Sequence, residues 1–339
     1  MLLSVNYHYV DMATEPYNGI NSMSSSQLLA QVRWLQERFR FVAVEELLAQ
    51  MDAGKWLDAP QCLITFDDGL KCHYECVFPI LQKHNIPAAF FVSGQPLADR
   101  RGTEIHKSHV ARARMGDTVV RKAFFAFIKR NGMDKGRFNA IEAEEVRAHY
   151  RYDPYPTAQF KYWTNYMLAA NLRRAFWDDV ILDLFQKEED FCDEWYMNEA
   201  MICAMHQSAA CVGSHAWSHN PLAPMDAVMA GDELKHSREL LSQITGSAIR
   251  VISYPLGNTN AVGKREGILA EELGYRLGFT MERAVNNEPK ETTLLARVDC
   301  NDLPEVGKSP LFDWSESGLR RLDGSPMERS CELNIEVER

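Results

Sequence analysis

The sequence of 339 residues contains no internal repeat, no low-complexity tract and no apolar run of membrane-spanning length. A transmembrane helix requires about 18 or more consecutive apolar residues. An excess of positive charge is also missing, because 37 Lys and Arg stand against 47 Asp and Glu, giving a net charge of -10, and the basic residues form no cluster. We therefore expect neither a transmembrane segment nor a nucleic-acid partner.

The first ten residues, Met1 to Val10, lack the basic start, the long apolar stretch and the small-residue cleavage site of a secretory signal peptide. We therefore expect a cytoplasmic protein. Eight cysteines are present, but none belongs to a Cys-x-x-Cys pair. In a long chain without an export signal, this cysteine usage indicates reduced thiols and not a disulfide framework.

Short apolar runs alternate with helical patterns through most of the chain. Leu2 to Tyr9 alternates like a strand, Ser24 to Gln27 resembles a capping box that begins a helix, and Cys62 to Phe66 is typical of a buried parallel strand. Further strands are predicted near residues 41–44, 88–92, 211–214, 250–254, 275–280 and 294–299. Seven or eight such strands favour a parallel α/β sheet closed into a TIM-like barrel.

Between residues 99 and 208 the alternation stops, and the segment is helical and aromatic. We predict helices over 119–128, 163–186 and 194–207, together forming a mostly helical insertion that caps the barrel mouth and sets substrate choice. The spacing of its aromatic residues fits packing of its own core better than stacking on a sugar. These residues are Trp163, Tyr166, Phe176, Trp177, Trp195 and Tyr196. Residues 301–339 are predicted to form a C-terminal extension.

Two adjacent carboxylates end the apolar strand at Cys62 to Phe66. Asp67 and Asp68 follow that strand directly, and Gly69 permits the backbone to turn, so both acids can face one end of a barrel. The carboxyl ends of barrel strands form the catalytic face. A polar turn is the structural alternative, because Asp-Asp-Gly is also good turn sequence.

A pair of histidines follows another apolar run. His215 and His219 are four residues apart, and on a helical turn they share one face. Two imidazoles joined by one carboxylate form the facial site that suits a first-row divalent metal and leaves positions open for water. The pattern differs from the His-Glu-x-x-His motif of metalloproteases, because Ala216 occupies the position of the glutamate.

These residues resemble the motifs of the polysaccharide deacetylases, carbohydrate esterase family 4, also called the NodB-homology group. Phe66-Asp-Asp-Gly69 is similar to the first motif of the family, and His215-Ala-Trp-Ser-His219 is similar to its His-Ser/Thr-x-x-His motif. Tyr254-Pro-Leu-Gly257 is similar to its Pro-x-Gly segment. The resemblance covers residues 1–98 and 210–300 and implies a distorted (β/α)7 TIM-like barrel.

The resemblance also implies the roles of the site residues. Asp67 corresponds to the general base, whereas Asp68, His215 and His219 correspond to the ligands of one divalent metal ion. Zn²⁺ is the expected ion, and Co²⁺, Ni²⁺, Mn²⁺ and Fe²⁺ are alternatives. The segment Tyr254, Pro255, Leu256 and Gly257 corresponds to the substrate-facing turn, in which the backbone N–H of Leu256 helps to hold the oxyanion.

Three departures from the family pattern concern the site. Ala216 replaces the usual Ser or Thr, and Ser253 stands where many members carry an arginine that orients the base. Arg297 or Arg250 is expected to supply that arginine instead. The late motif with a histidine acid is missing, because the sequence contains no histidine after His236.

Family members with permuted motif order begin with a strand that ends in Tyr-His-x-Val/Ile, which Tyr7-His-Tyr-Val10 resembles. His8 is therefore our predicted general acid, since a parallel barrel brings the end of its first strand to the same rim as Asp67. If His8 is not the acid, His106 or His109 in the insertion is the next choice. For His106, Lys107 and His109, a solvated helix start and a contact with substrate are both open interpretations.

Together these features predict a metal-dependent hydrolase that removes an N-acyl group, expected to be acetyl, from an amino sugar. Without an export signal, we expect a free sugar or a nucleotide- or lipid-linked sugar precursor and not an extracellular polymer. A deformylase or another amide or imide hydrolase is the alternative within enzymes, because the pocket and not the metal site determines the substrate. A non-enzymatic carbohydrate-binding barrel is disfavoured, because a binder has little physical reason to keep a base, three ligands and an oxyanion turn.

Overall fold

The computed structural model describes residues 1–55, 59–150, 153–287, 291–304, 312–313 and 320–321. The chain divides into two compact units. The first comprises Met1–Asp11, Ser22–Asp99 and Trp195–Arg339, and the second comprises Met12–Asn21 and Arg100–Glu194. Within the described ranges, no helix combines the length and the apolar character needed to cross a membrane.

The strands belong to the first unit. They are β1 Leu2–Tyr7, β2 Arg40–Phe41, β3 Gln61–Phe66, β4 Ala88–Val92, β5 Cys211–Ser214, β6 Val251–Ser253, β7 Leu277–Phe279, β8 Val298–Asp299, β9 Phe312–Asp313 and β10 Arg320–Arg321. The helices are α1 Ser25–Gln36, α2 Val44–Asp52, α3 Phe78–Lys83, α4 Gly94–Ala98, α5 Glu104–Met115, α6 Asp117–Arg130, α7 Gly136–Asn139, α8 Ala143–His149, α9 Tyr155–Tyr162, α10 Ala170–Phe185, α11 Glu188–Trp195, α12 Glu199–Gln207, α13 Ala227–Thr245 and α14 Lys264–Glu272. Short π-helices cover His73–Val77 and Trp163–Met167, and 3-10 helices cover Thr292–Leu294 and Cys300–Asp302.

Seven parallel strands of the first unit form a closed ring. Their order is β7-β6-β5-β4-β3-β1-β8, with β2 paired to the beginning of β3. The ring closes through one segment, because Leu295 forms a parallel bridge to Phe279 in β7 and Val298 pairs with Val5 in β1. The first unit is therefore a distorted (β/α)7 barrel, as predicted, and β9 and β10 form a separate antiparallel pair.

Successive side chains along the strands point to opposite faces and pack into two separate apolar clusters. In β3, Cys62, Ile64 and Phe66 pack in the larger cluster with the apolar faces of helices such as α1. Leu63 points the other way and packs with Phe91 of β4 in the second cluster. Each large side chain buried in this way contributes roughly 1.5–3 kcal/mol relative to exposure. Both faces of the strands are covered, which explains their continuous apolar composition.

Helix α1 begins where the sequence predicts. The Ser24 side chain accepts from the Gln27 backbone N–H, and the Gln27 side chain accepts from the Ser24 N–H, which completes the predicted capping box. The buried face of α1 contains Leu28, Val32 and Leu35, as expected from their spacing.

The second unit consists of helices α5 to α10 and most of α11 around its own aromatic cluster. The predicted helix over 163–186 is interrupted, because Leu168 and Ala169 adopt extended conformations between the π-helix and α10. The predicted helix over 194–207 is also wrong, since α11 ends at Trp195 and α12 begins at Glu199. Helix α12, predicted as part of the insertion, lies in the first unit.

The helix start around His106 is not solvated. Lys107 is buried, and its ammonium group lies 2.5 Å from carboxylate oxygens of both Asp178 and Glu188. His106 is also buried, whereas His109 is half-buried. A lysine is rarely buried without charged partners, and these two carboxylates provide them. Lys107 therefore belongs to the internal packing of the second unit.

Candidate active site

Strand pairing positions the site residues, because three ladders continue one residue beyond the strand ends. The Asp67 N–H donates to the Tyr7 carbonyl at 3.1 Å, and the His215 N–H donates to the Val92 carbonyl at 2.8 Å. The Tyr254 N–H donates to the carbonyl at the end of β7 at 3.0 Å. The ends of β3, β5 and β6 therefore present their next residues at the same carboxyl-terminal face of the barrel.

One carboxylate and two imidazoles converge at this face. Asp68 Oδ1 lies 3.3 Å from His215 Nε2 and 3.1 Å from His219 Nε2. One ligand atom from each of the three residues lies within 4.8 Å of the other two. Two neutral imidazoles and one carboxylate suit a divalent first-row metal and leave coordination positions for water and substrate. The residues present therefore fit the metal that the sequence predicts.

The orientation of His215 is fixed from behind the site. Its Nδ1 lies 2.7 Å from the Ser253 carbonyl oxygen, which can only accept, so Nδ1 carries the proton. Nε2 is then the unprotonated nitrogen, and it is the one that faces Asp68. A metal-ligating histidine commonly makes such a second hydrogen bond, which fixes its tautomer and ring orientation.

The segment between the two histidines is a bent loop, so the predicted helical turn is wrong. Ala216 and His219 both have left-handed backbones, with φ of 55° and 61°, which a helix excludes. The imidazole rings nevertheless come together, with centroids 4.9 Å apart. The loop therefore brings the two imidazoles together, as their spacing of four residues suggests, without forming a helical turn.

External groups hold this loop in place. The Glu233 side chain on α13 accepts from the N–H groups of Trp217 and Ser218 at 3.0 and 2.7 Å. The Ser93 hydroxyl donates to the His215 carbonyl at 3.1 Å. Neither Glu233 nor Ser93 was predicted as a site residue, since neither lies in a recognisable motif.

Asp67 is the centre of a buried polar network. Arg297 donates to its two carboxylate oxygens at 2.9 and 2.7 Å, and the Ser253 hydroxyl donates to Oδ2 at 2.9 Å. Burial raises the pKa of Asp67, but the Arg297 guanidinium and His215 lower it, and the net result is a pKa of about 2. Asp67 is therefore a carboxylate at any pH near neutrality.

Arg297, one of the two arginines considered in the sequence analysis, is the one that contacts Asp67. It lies on the segment that closes the barrel, and its guanidinium also donates to Asn6 and Thr65 inside the barrel, both at 3.1 Å. Arg250, the other arginine considered, is exposed at the opposite end of β6 from Ser253. The structure thus brings Arg297, and not Arg250, to Asp67.

The turn after β6 contains an exposed residue with a left-handed backbone. Leu256 has a left-handed backbone with φ 61° and is 43% exposed, and within the described part of the chain no acceptor takes its N–H. Gly257 is required next to it, because φ is 58° and an added Cβ would lie 2.6 Å from the Met281 nitrogen. Tyr254 anchors the turn through a hydroxyl that donates to the Thr293 carbonyl at 2.8 Å, while Pro255 accepts from the Gly257 N–H at 2.7 Å.

His8 lies beside the carboxylate of Asp68. Its Nε2 is 4.0 Å from Asp68 Oδ2, and its side chain is 36% exposed, so solvent and substrate can reach it. His106 and His109, the other histidines considered as the acid, belong to the second unit.

Several of the site residues have left-handed backbones. Among non-glycine residues with φ between 50° and 90° are Asp68, Ala216, His219 and Leu256, all within the strand-end loops just described. Such conformations cost free energy and persist only where the surrounding structure holds them. The loops that carry the site residues are therefore held in these conformations by the surrounding structure.

Comparison with known families covers Asp67, Asp68, His215 and His219, but neither His8 nor Arg297. A family model described as polysaccharide deacetylase matches residues 56–120 and 179–278. Among curated proteins, the chain is 24% identical over 268 residues to poly-beta-1,6-N-acetyl-D-glucosamine N-deacetylase of Escherichia coli, a match covering 78% of this chain and 32% of that protein. It is 33% identical over 102 residues to the protein of the same name from Staphylococcus aureus, covering 26% of this chain and 35% of that protein. The matches thus span about a third of these relatives.

Solved structures share the fold. The deacetylase PplD of Streptococcus pyogenes, in complex with acetate, superposes with a TM-score of 0.54 at 14% identity, covering 88% of this chain and 91% of that one. IcaB from Ammonifex degensii superposes with a TM-score of 0.53 at 18% identity, covering 88% and 90%. At this identity the likeness establishes the barrel fold alone.

Proposed function

We propose that this chain, which belongs to the polysaccharide deacetylase family, is a metal-dependent hydrolase that removes acetyl groups from the amide nitrogen of amino sugars in a polysaccharide. The observation that carries the proposal is the convergence of Asp68, His215 and His219 next to an ionised Asp67. The polymeric substrate is proposed from the names of the curated relatives. Those names give no support to the free or nucleotide-linked sugars expected from the sequence.

In this proposal Asp67 acts as the general base. Arg297 and Ser253 hold its carboxylate by three hydrogen bonds, one to Oδ1 and two to Oδ2. A carboxylate oxygen can accept about two hydrogen bonds, so Oδ1 keeps a lone pair for a water molecule. Asp67 is ionised at neutral pH and can take the proton of that water as it attacks the amide carbon.

Asp68, His215 and His219 would hold the metal ion. When bound, such an ion supplies Lewis acidity toward the amide oxygen and lowers the pKa of water. The Leu256 N–H, which has no acceptor among the described residues, is a fixed donor for the negative charge that develops on the amide oxygen. Because the backbone donor is already oriented, it needs no reorganisation during the reaction.

His8 would protonate the leaving nitrogen. An amide nitrogen is a poor leaving group unless it receives a proton, and an imidazolium is suited to deliver one near neutral pH. The partly exposed position of His8 beside Asp68 supports this role.

The test is acetate release by the zinc-loaded full chain. Substrates are oligomers of β-1,6-linked N-acetylglucosamine, their formylated counterparts, free N-acetylglucosamine and a nucleotide-linked N-acetylamino sugar. We expect acetate from the acetylated oligomers, loss of activity on chelation, and loss of bound metal in His215→Ala and His219→Ala. Glu239→Ala, an exposed change on α13, is the matched control.

Two results would contradict the proposal. A chain that binds one equivalent of zinc but releases no acid from any acylated amino sugar is not a hydrolase of this class. Equal metal content in the native protein and in both histidine variants would refute the ligand assignment. Faster release of formate than of acetate would favour the deformylase.

A further inference from the structure

Another histidine, His73, contacts the backbone of His8 and has no role in the chemistry proposed above. His73 is fully buried, and its ring packs against Phe66 and Phe90 with centroids 5.4 and 6.0 Å away. It is the first residue of the π-helix His73–Val77, which begins soon after the Asp68-Gly69 turn. Inserted π turns of this kind are frequent at functional sites.

The polar contact of His73 is with the backbone of His8. His73 Nε2 lies 2.8 Å from the His8 carbonyl oxygen. A carbonyl oxygen can only accept, so Nε2 carries the proton and donates it. The other nitrogen, Nδ1, is buried without a hydrogen-bond partner among the described residues.

This arrangement makes histidine energetically unfavourable at position 73. A buried nitrogen without a partner costs at least as much free energy as one neutral hydrogen bond contributes. A phenylalanine would fill the same aromatic surroundings without that cost. Burial also lowers the pKa of His73 to about 4, so the ring is neutral under ordinary conditions. The bond to His8 is the feature of this histidine that a phenylalanine could not provide.

The carbonyl that His73 holds is the middle one of three at the end of β1. The Tyr7 carbonyl accepts from the Asp67 N–H at 3.1 Å, and the Tyr9 carbonyl accepts from the Met23 N–H at 3.0 Å. Strand β1 ends at Tyr7, so the strand ladders of the described chain offer the His8 carbonyl no partner. Without His73 the His8 carbonyl would lose this hydrogen bond, and that carbonyl belongs to the peptide that adjoins the Cα from which the His8 side chain projects.

We propose that His73 is a positioning residue that fixes the His8 peptide and thereby aims the His8 imidazole at the leaving nitrogen. The inference rests on the proposed function of His8 and deepens it. The polar contact of His73 is with the His8 carbonyl, so we expect its effect on the reaction to pass through that carbonyl.

The test compares three variants of the full zinc-loaded chain. His73→Phe keeps the aromatic packing and removes the donor, whereas His73→Gln keeps an amide N–H donor. His84→Phe, an exposed histidine after α3, is the control for loss of a histidine elsewhere. For each we would measure zinc content, kcat with its pH profile, and the ¹⁵N order parameter of the Tyr9 amide, which reports the His8–Tyr9 peptide.

We expect His73→Phe to keep its zinc while kcat falls by about 10- to 100-fold, the size of effect that a small misplacement of a catalytic group produces. The basic limb of the pH profile should flatten, and the Tyr9 order parameter should fall from about 0.85 towards 0.6. His73→Gln should recover part of both losses, and His84→Phe should match the native protein.

The proposal would be overturned if His73→Phe had the same kcat, the same pH profile and the same Tyr9 order parameter as the native protein. Loss of zinc together with kcat would also overturn it, because His73 would then support the whole site and not His8. If the native chain releases no acetate, the proposed function fails, and the Tyr9 order parameter still decides whether His73 fixes the His8 peptide.

Discussion

Asp67 and Arg297 depend on each other for charge compensation inside the barrel. Their side chains are 3% and 0% exposed, and two hydrogen bonds of 2.9 and 2.7 Å join them. Removing one partner of a buried pair leaves an uncompensated charge and costs about 3–5 kcal/mol. Variants of either residue should therefore lose stability as well as rate, and the two effects must be measured separately.

Asp67→Asn should keep its metal and lose rate. An amide cannot take a proton from water, and general-base catalysis typically contributes ~10²–10⁴-fold. Acetate release and zinc content would be measured well below the melting temperature of the variant, so that unfolding does not contribute. A native rate in folded Asp67→Asn would remove Asp67 from the mechanism.

Arg297→Gln should move the acidic limb of the pH–rate profile to higher pH. In the native protein the pKa of Asp67 is about 2, below the value of about 3.9 for an unfolded aspartate. The stability gained from this depressed pKa is therefore fully present above about pH 4 and is lost as the pH falls through 2. Without the guanidinium, burial acts unopposed by that charge and raises the pKa, so Asp67 becomes protonated at higher pH.

The measurement is kcat/KM from about pH 4 to pH 9, where the limbs report the free enzyme. Arg250→Gln is the matched control, because that arginine is exposed and precedes β6, at the opposite end of the strand from Ser253. An acidic limb that moves equally in both variants, or in neither, would contradict the role of Arg297.

At the scale of elements, the loop 215–219 depends on helix α13. Its left-handed residues are held because Glu233 accepts two consecutive N–H groups within it. Hydrogen bonds from backbone N–H groups to a carboxylate are charge-assisted and stronger than neutral ones. Ala216 has no polar side chain of its own that could stabilise the loop, which leaves this to external groups such as Glu233.

Glu233→Ala should weaken metal binding by about 10- to 100-fold, the usual effect of removing a group that orients metal ligands. Zinc affinity would be measured by competition with a chromophoric chelator. Glu239→Ala on the same helix is the control, since that side chain is exposed and its ion pair with Lys235 spans 4.0 Å. Unchanged zinc affinity in Glu233→Ala would show that the loop holds its shape without the carboxylate.

At the scale of the whole molecule, metal binding is expected to stabilise the barrel. A ligand that binds only the folded state adds about 2.7 kcal/mol when its free concentration is 100 times its Kd. For a domain of this size that corresponds to a rise of about 5 to 10 °C in Tm. Thermal melts with and without zinc should show this shift in the native protein and not in His215→Ala.

A zinc-dependent shift of the same size in His215→Ala would mean that zinc stabilises the chain from another site.

The expectation that residues 99–208 cap the barrel mouth and set substrate choice stays a prediction. Exchanging aromatic residues on the exposed surface of the second unit, such as Tyr166→Ala, and comparing KM for oligomers of different length would test it.

The sequence by itself determined the barrel and pointed to the residues of the candidate metal site. Apolar strand composition, a capping box at Ser24 and the Asp67-Asp68-Gly69 ending are local signals, because each depends on residues adjacent in the chain. Parallel strands end at one face, so the convergence of Asp68, His215 and His219 follows from their positions after two such strands.

Only the tertiary structure decided which distant groups support the site. Arg297 and Asp67 are 230 residues apart, and His73 reaches a carbonyl 65 residues away. The choice between Arg297 and Arg250 depends on which end of the barrel each reaches, and the loop at His215 depends on Glu233 in another element. Such contacts leave no periodic or local pattern, because they are set by strand register and helix packing, which only the folded chain establishes.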